Sequence, residues 1–323
     1  MPTAVRIRRT GGPEVMELAE VEVGDPGPGE LLVDVAAAGV NYIDTYHRSG
    51  LYPLELPVSL GQEGAGTVAA VGEGVTEFKP GDRVAWQSQH GSYATQVRVR
   101  ARVAVPVPDG VSDEVAAAVL LQGGTAHYLT RSTYEVKAGD DVLVHAAAGG
   151  TGLLLTQLIK AHGDRVIGTV STEEKAKLAR EAGADDVIRY DQVDFAEETR
   201  KLTGGEGVAV VYDGVGKNTF DGSLASLRVR GTLVLFGASS GPVPPVDPMA
   251  LSRAGSVFLT RPTGVHYHRT REELTWRASE VFQSVVDGSL KIRIGHRYPL
   301  AEAGQAHEDL HARRTSGKIL LIP

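Results

Sequence analysis

Between about residue 125 and residue 262 the chain repeats one pattern, a short apolar β-branched run followed by a stretch of helical spacing, and this narrows the possible folds more than any other feature. Strands are predicted at 141–146, 165–170, 186–189, 208–212, 232–236 and 256–260. Helices are predicted at 150–162, 172–182, 195–202 and 218–226. Strands joined through helices run parallel, and a parallel sheet needs apolar cover on both faces. The segment therefore reads as a doubly wound α/β domain.

The flanking segments have another rhythm. Residues 1–124 alternate polar and apolar over short runs such as 31–35, 66–71 and 83–86, the last preceded by the turn Lys79-Pro80-Gly81-Asp82. Asp113 and Glu114 suit the start of a helix over 113–121. Beyond residue 262 come helical patterns at 271–287 and 301–313 and a strand at 318–322. A tail of roughly 60 residues makes a small independent core, so it is expected to complete the first domain. The predicted division is 1–124 plus 263–323 against 125–262.

Of the 323 residues none is cysteine, which excludes disulfides, thiolate zinc sites, iron–sulfur clusters and a cysteine nucleophile together. A net charge of −7 provides no general field for nucleic acid, and no nucleic-acid partner is expected. The N-terminus has charges inside its first apolar stretch, unlike a signal peptide, and no apolar run approaches the ~20 residues that span a bilayer. The expectation is a soluble cytoplasmic protein without a membrane partner.

Predicted strand Val142-Leu143-Val144-His145-Ala146 runs through Ala147-Ala148-Gly149-Gly150-Thr151-Gly152 into an apolar helix. Small residues there let backbone approach a pyrophosphate, which the N–H groups and dipole of the helix favour. The surroundings suit a Rossmann dinucleotide site better than an ordinary tight turn. Near the end of the second strand, where an acidic residue would hold the ribose of NAD, Ser171 takes the strand tip and Lys175 lies four residues on. A lysine there can meet a 2′-phosphate, so the expected cofactor is NADPH. The alternative leaves Lys175 as a solvated helix residue and gives the acidic role to Glu173 or Glu174.

Gly139-Asp140, Leu143, Ala147-Ala148-Gly149-Gly150, Gly152, Gln157 and Lys160 together resemble the quinone oxidoreductase (zeta-crystallin-like) branch of the zinc-independent medium-chain dehydrogenase/reductase family. Further matches are Gly39-Val40-Asn41-Tyr42-Ile43-Asp44-Thr45-Tyr46, Arg48-Ser49-Gly50-Leu51-Tyr52-Pro53, Phe236-Gly237-Ala238-Ser239-Ser240-Gly241, Arg261-Pro262 and Leu320-Leu321-Ile322-Pro323. They cover nearly the whole chain and look similar to bacterial NADPH:quinone reductases. The resemblance implies a Rossmann domain inserted in a GroES-like β-barrel catalytic domain, with cofactor in the cleft between them. It also implies a homodimer joined through the Rossmann edge strand, here residues 257–260.

The resemblance places Asn41, Tyr42, Asp44, Tyr46 and Tyr52 around the nicotinamide and the substrate mouth, with Tyr46 and Tyr52 as proton donors or relays. Packing with the hydroxyl at the surface is the plain alternative for each tyrosine. Thr125 and Tyr128, following Gln122, are expected to flank the nicotinamide. Gly149, Gly150, Thr151 and Gly152 are expected at the pyrophosphate, and Ser171, Lys175 and Tyr190 at the adenosine end. Gly214, Phe236, Gly237, Ala238 and Ser239 lie at carboxyl ends of predicted strands, where open α/β sheets hold ligands. Arg261 and Arg313 stand at matching family positions for phosphate binding or cleft closure, or else make surface salt bridges.

Gly61-Gln62-Glu63-Gly64-Ala65-Gly66 is similar to the zinc alcohol dehydrogenase motif, except that Gln62 stands where a histidine ligand is expected. An amide is a poor substitute for imidazole on zinc. His266 with His268, and His307 with His311, lack a placed carboxylate and read as solvated faces rather than metal pairs. Without a metal to polarise a carbonyl, the chemistry expected is reduction of an electron-poor quinone oriented beside the nicotinamide. Gln62 can bond the substrate from the vacated metal position. Alternatives are a reductase of α,β-unsaturated carbonyls and a non-catalytic NADPH-binding protein, crystallin-like or RNA-binding.

Overall fold

The strand–helix alternation folds into one six-stranded parallel sheet, with neighbours in the order Asp186–Arg189, Arg165–Val170, Asp141–Val144, Val208–Asp213, Leu227–Leu235 and Phe258–Thr260. Counted along the chain this is the Rossmann order, which reverses direction between the first and fourth strands. Helices Gly150–Ala161, Glu173–Glu181, Phe195–Leu202 and Phe220–Ser226 lie between strands in sequence. Every residue of Val208–Asp213 is buried, as the central strand of a sheet covered on both faces requires. Thr172 and Asp194 cap their helices by accepting from Lys175 N, and from Ala196 N and Glu197 N.

The computed structural model describes residues 1–323, and the chain divides into two units, Met1–Gly124 with His268–Pro323, and Thr125–Tyr267. Residues 263–267 fall in the second unit, where the ring of Tyr267 stacks on Tyr128 with centroids 4.4 Å apart. The helix expected at 113–121 runs on to Tyr128, so the unit boundary lies inside it. The strand expected at 232–236 begins earlier, at Leu227, because a register shift between Val208 and Val210 lets both pair with it. Ser256, at φ 54°, delays the last strand to Phe258.

In the first unit a seven-stranded sheet places Lys318–Ile322, Glu30–Val40 and Glu63–Val71 side by side. Two apolar clusters lie here, one around Ile7, Leu60, Tyr93 and Leu321, the other around Leu31, Val84, Trp86 and Val99. The antiparallel strands alternate as expected for one wet face: Glu30–Val35 points Leu31, Val33 and Val35 inward.

Within this sheet lies a charged pair that solvent does not reach. Glu63 Oε2 accepts from Lys318 Nζ and from Asn41 Nδ2 (2.9 Å), and Glu63 Oε1 accepts from Leu121 N at 2.6 Å. Lys318 Nζ also donates to Asn41 Oδ1 at 2.9 Å. The pair fits only because residue 39 is glycine. A Cβ there would stand 2.4 Å from Glu63 Oε2, 2.5 Å from Ala117 O and 2.7 Å from Lys318 Cε.

Gly39→Ala is therefore expected to lower the unfolding free energy by about 2 kcal/mol or more through overpacking. Gly304→Ala, within helix Ala303–His311 and with its nearest neighbour at an ordinary 3.4 Å, should raise it by up to about 1 kcal/mol. Urea unfolding of the two variants against wild type checks both signs.

Candidate functional site

In the Rossmann unit the first strand ends at Val144, and the chain turns sharply through Ala146, a non-glycine residue at φ 50°. Gly149 N closes the turn by donating to Ala146 O at 2.8 Å. Gly149 then precedes helix Gly150–Ala161 and supplies no side-chain cap, which leaves the first-turn N–H groups and the positive end of the dipole facing outward. Gly152 is fixed by space, since its Cβ would fall 2.3 Å from Ala146 O. The residues present thus fit a pyrophosphate group: a helix start without a side-chain cap, and an approach of helix to turn too close for any residue but glycine at 152.

The neighbouring strand ends are as tightly made. A Cβ on Gly237 would lie 2.3 Å from Gly214 O, and one on Gly214 would meet the Phe236 ring at 2.9 Å. Asp213, fully buried, holds that turn from behind. Its Oδ1 accepts from Val215 N (2.8 Å) and Gly216 N (3.0 Å), and its Oδ2 from Thr219 Oγ1 and Ser223 Oγ. Ser223 meets His145 Nε2 at 3.0 Å, and His145 Nδ1 meets Thr169 Oγ1 at 2.8 Å. Burial holds His145 below the usual histidine range. Sequence reasoning missed this chain of side chains across three strand ends; the Asp213–Thr219–Ser223 spacing around a predicted helix start was its only trace.

At the second strand, Ser171 follows the last residue, Val170, and Lys175 occupies the first helical turn, with Thr172 Oγ1 accepting from its backbone N at 3.2 Å. Glu173 is engaged with Arg180 and Arg189, which hold its carboxyl below the usual range. Tyr190 is 41% exposed and donates its backbone N to Val170 O, so it lies beside that strand tip. Arg261 donates to Leu235 O at 3.0 Å. Tyr128 is buried beneath Tyr267, Thr125 is half-buried in the same helix, and Ala238 and Ser239 continue the turn after Phe236. Arg313 belongs to the other unit and sits at φ 58° after helix Ala303–His311.

The first unit gathers the remaining residues around helix Tyr42–Ser49. Asn41 precedes it and forms a capping box with Asp44, the Asp44 carboxyl accepting from Asn41 N at 2.9 Å. Asn41 also bonds Gly39 O, Glu63, Lys318 and Gln122, whose Nε2 donates to its Oδ1 at 3.2 Å, so its amide is spent inside the fold. Asp44 is buried too. Tyr93 Oη donates to its Oδ2 at 2.9 Å, while its Oδ1 has no hydrogen-bond partner. Burial raises its pKa to about 7 against the partial opposition of these bonds.

Tyr93 Oη also meets His307 Nε2 at 3.0 Å, and His307 Nδ1 meets Arg48 at 3.2 Å. The expectation of a solvated histidine face is therefore wrong for His307, which is buried and pushed down to about 3 by burial and then by Arg48. His311, one turn on, is exposed. Tyr42 Oη donates to Leu310 O at 3.1 Å. The rings of Tyr42, Tyr46 and Tyr52 form a row with centroid spacings of 6.4 and 5.3 Å, the second pair edge to face, and Tyr52 is 37% exposed.

Gln62 is buried and lies 2.6 Å, Nε2 to Nε2, from His47, a residue the sequence reading did not single out. His90 packs edge-on against His47 at 5.0 Å. No group of three or more histidine, aspartate or glutamate side chains is placed to hold a metal, and no helix is long and apolar enough to cross a membrane.

A GroES-like sheet unit and a Rossmann unit in one chain define the class of the medium-chain dehydrogenases and reductases. Family models agree: "Alcohol dehydrogenase GroES-like domain" matches residues 27–109 and "Zinc-binding dehydrogenase" residues 150–279. A "Quinone oxidoreductase" of Pseudomonas aeruginosa is 47% identical over 325 residues, covering 100% of both chains. A mycobacterial protein solved in complex with NADPH is 55% identical, with a TM-score of 0.97 over 99% of this chain and 100% of that one. The Escherichia coli quinone oxidoreductase solved with NADPH is 46% identical, with a TM-score of 0.98 over 99% and 100%. The chain belongs to the quinone oxidoreductase branch of the medium-chain dehydrogenase/reductase family.

The Asp44 environment predicts a pH dependence. A carboxyl whose pKa rises on folding contributes its full stability below its unfolded value near 3.8 and loses it as pH climbs to about 7. Asp44→Asn keeps an acceptor for Asn41 N and Tyr93 Oη but cannot ionise. Relative to wild type, its unfolding free energy should gain steadily from pH 4.5 to pH 7.5, by up to roughly 4 kcal/mol. Urea titrations across that range measure the difference, and a constant offset between the two proteins refutes the assignment.

Proposed function

We propose that this chain is a zinc-independent NADPH:quinone oxidoreductase. The observation that carries the reading is the Ala146–Gly152 turn, where a Cβ at residue 152 would strike backbone and the helix opens without a side-chain cap, in a chain with full-length quinone oxidoreductase relatives. Gly149, Gly150, Thr151 and Gly152 would hold the pyrophosphate by their backbone. Ser171 and Lys175 would take the 2′-phosphate, with Tyr190 against the adenine. Gly214, Phe236, Gly237, Ala238 and Ser239 would line the path to the nicotinamide, which Thr125 and Tyr128 would flank. Arg261 and Arg313 are the proposed additional phosphate contacts.

Bound NADPH supplies the hydride. A quinone needs orientation and a hydrogen bond to the oxygen that gains charge, not a Lewis acid. Tyr46 and Tyr52 are the proposed acceptor contacts, their hydroxyls donating to quinone oxygens or passing a proton through water. Asn41, Asp44 and Tyr42 support them, since their polar groups already bond within the unit. The lack of cysteine and the replacement of a histidine ligand by Gln62, bonded to His47, support the zinc-free reading.

A homodimer belongs to the same proposal. Strand Phe258–Thr260 pairs on one side only, and Phe258 is 61% exposed. The cytoplasm is the proposed location.

NADPH oxidation is expected with 1,4-benzoquinone or a naphthoquinone, at a rate unchanged by a chelator, and little with simple enals. A rate that falls on chelation overturns the zinc-free reading, and tight NADPH binding without turnover of any acceptor overturns the enzyme. Lys175→Ala should raise KM for NADPH about tenfold or more and leave KM for NADH within about twofold. Equal effects on both cofactors would remove Lys175 from the 2′-phosphate. Phe258→Asp should convert a dimer to monomer by light scattering.

A further inference from the structure

We infer that His47 is a positioning residue for the acceptor side of the site, and that Gln62 acts through it rather than by touching substrate. This rests on the reading of Tyr46 and Tyr52 as acceptor contacts. His47 Nδ1 lies 3.1 Å from Tyr52 O. A carbonyl oxygen only accepts, so Nδ1 carries the proton and Nε2 presents a lone pair. Gln62 Nε2, 2.6 Å away, is the donor that lone pair needs. The two bonds fix one tautomer of a neutral ring. Burial holds His47 below its usual range against the raising effect of the Tyr52 bond. The groups facing it are His90, itself lowered by burial and then by His47 and Arg100, and the Tyr52 ring at 6.0 Å.

The consequence falls on Tyr52. Its backbone N donates to Tyr46 O at 3.1 Å, its carbonyl is held by His47, and its ring meets Tyr46 edge to face. Three restraints fix a half-exposed tyrosine on a stretch without regular structure between residues 50 and 57. One of them traces back through His47 to a glutamine one residue before strand Glu63–Val71. A planar acceptor that bonds or stacks on the tyrosine pair thereby meets a face already in place, which lowers the ordering cost of binding. Glutamine suits this task better than glutamate. A carboxylate at residue 62 would draw a second proton onto His47 and place a charged ring behind Tyr52.

Three measurements test this. In wild-type protein, long-range proton–nitrogen NMR, with His47 assigned by its loss in His47→Gln, should show the Nδ1–H tautomer. The Nε2–H tautomer overturns the proposal whatever the variants do. His47→Leu and Gln62→Leu should each raise KM for the quinone about threefold to tenfold while the Kd for NADPH stays unchanged. In a Tyr52→Ala background the same substitutions should add nothing. If Tyr52→Ala raises the quinone KM but His47→Leu and Gln62→Leu do not, the positioning role is overturned and the acceptor reading survives. If neither Tyr46→Ala nor Tyr52→Ala changes the quinone KM, the acceptor reading fails and takes the positioning role with it.

Discussion

The first unit is organised by one buried charge pair. Glu63 and Lys318 lie on strands either side of Glu30–Val40, and both bond Asn41, the residue that follows that strand and caps helix Tyr42–Ser49. A pair taken out of water gains little net stability, but removing either partner leaves an uncompensated charge and costs several kcal/mol. Its main effect is on placement. The cap of the helix that carries Tyr42 and Tyr46 is tied to a point in the sheet where neither strand can slip without exposing a charge to apolar surroundings. Gly39 is the steric condition for this arrangement, and Leu121 N, inside the helix Asp113–Tyr128, is drawn into it.

The Rossmann half was the more legible part of the sequence, because parallel strands are uniformly apolar and glycines crowd where backbone meets backbone. Gly152, Gly214 and Gly237 could be singled out from their positions alone, and the structure supplies the reason in contacts that a Cβ would violate. Alternation and short connections pointed to a doubly wound domain, but periodicity marks where strands are and not which strands are neighbours, so their order is seen only in the structure. Strand limits were less readable where the backbone departs from the norm: Ser256 enters a left-handed conformation and Val208 pairs through a register shift, and neither leaves a mark on hydropathy.

The polar interior of the first unit was hidden from the sequence for another reason. Asp44, Tyr93, His307 and Arg48 form one hydrogen-bonded line although 259 positions separate Arg48 from His307. Helical spacing suggested that His307 and His311 share a face, which is true of their positions, but it could not say that one end of that face is buried against a distant tyrosine. His47 and Gln62 show the same limit. The motif drew attention to Gln62 by what it lacks, a metal-binding imidazole, whereas its partner could be found only in three dimensions.

The Asp213 side chain, fully buried, gives the turn through Val215 and Gly216 a mounting that water does not touch. Its carboxyl holds the loop by two backbone amides and is backed by Thr219 and by Ser223, which leads on to His145 and Thr169. Dissolved ions screen charges at a surface within about 10 Å but weaken enclosed contacts far less. Ionic strength should thus govern how readily a polyanionic dinucleotide arrives at this protein, while the shape of the Asp213-held turn stays the same from dilute buffer to concentrated salt.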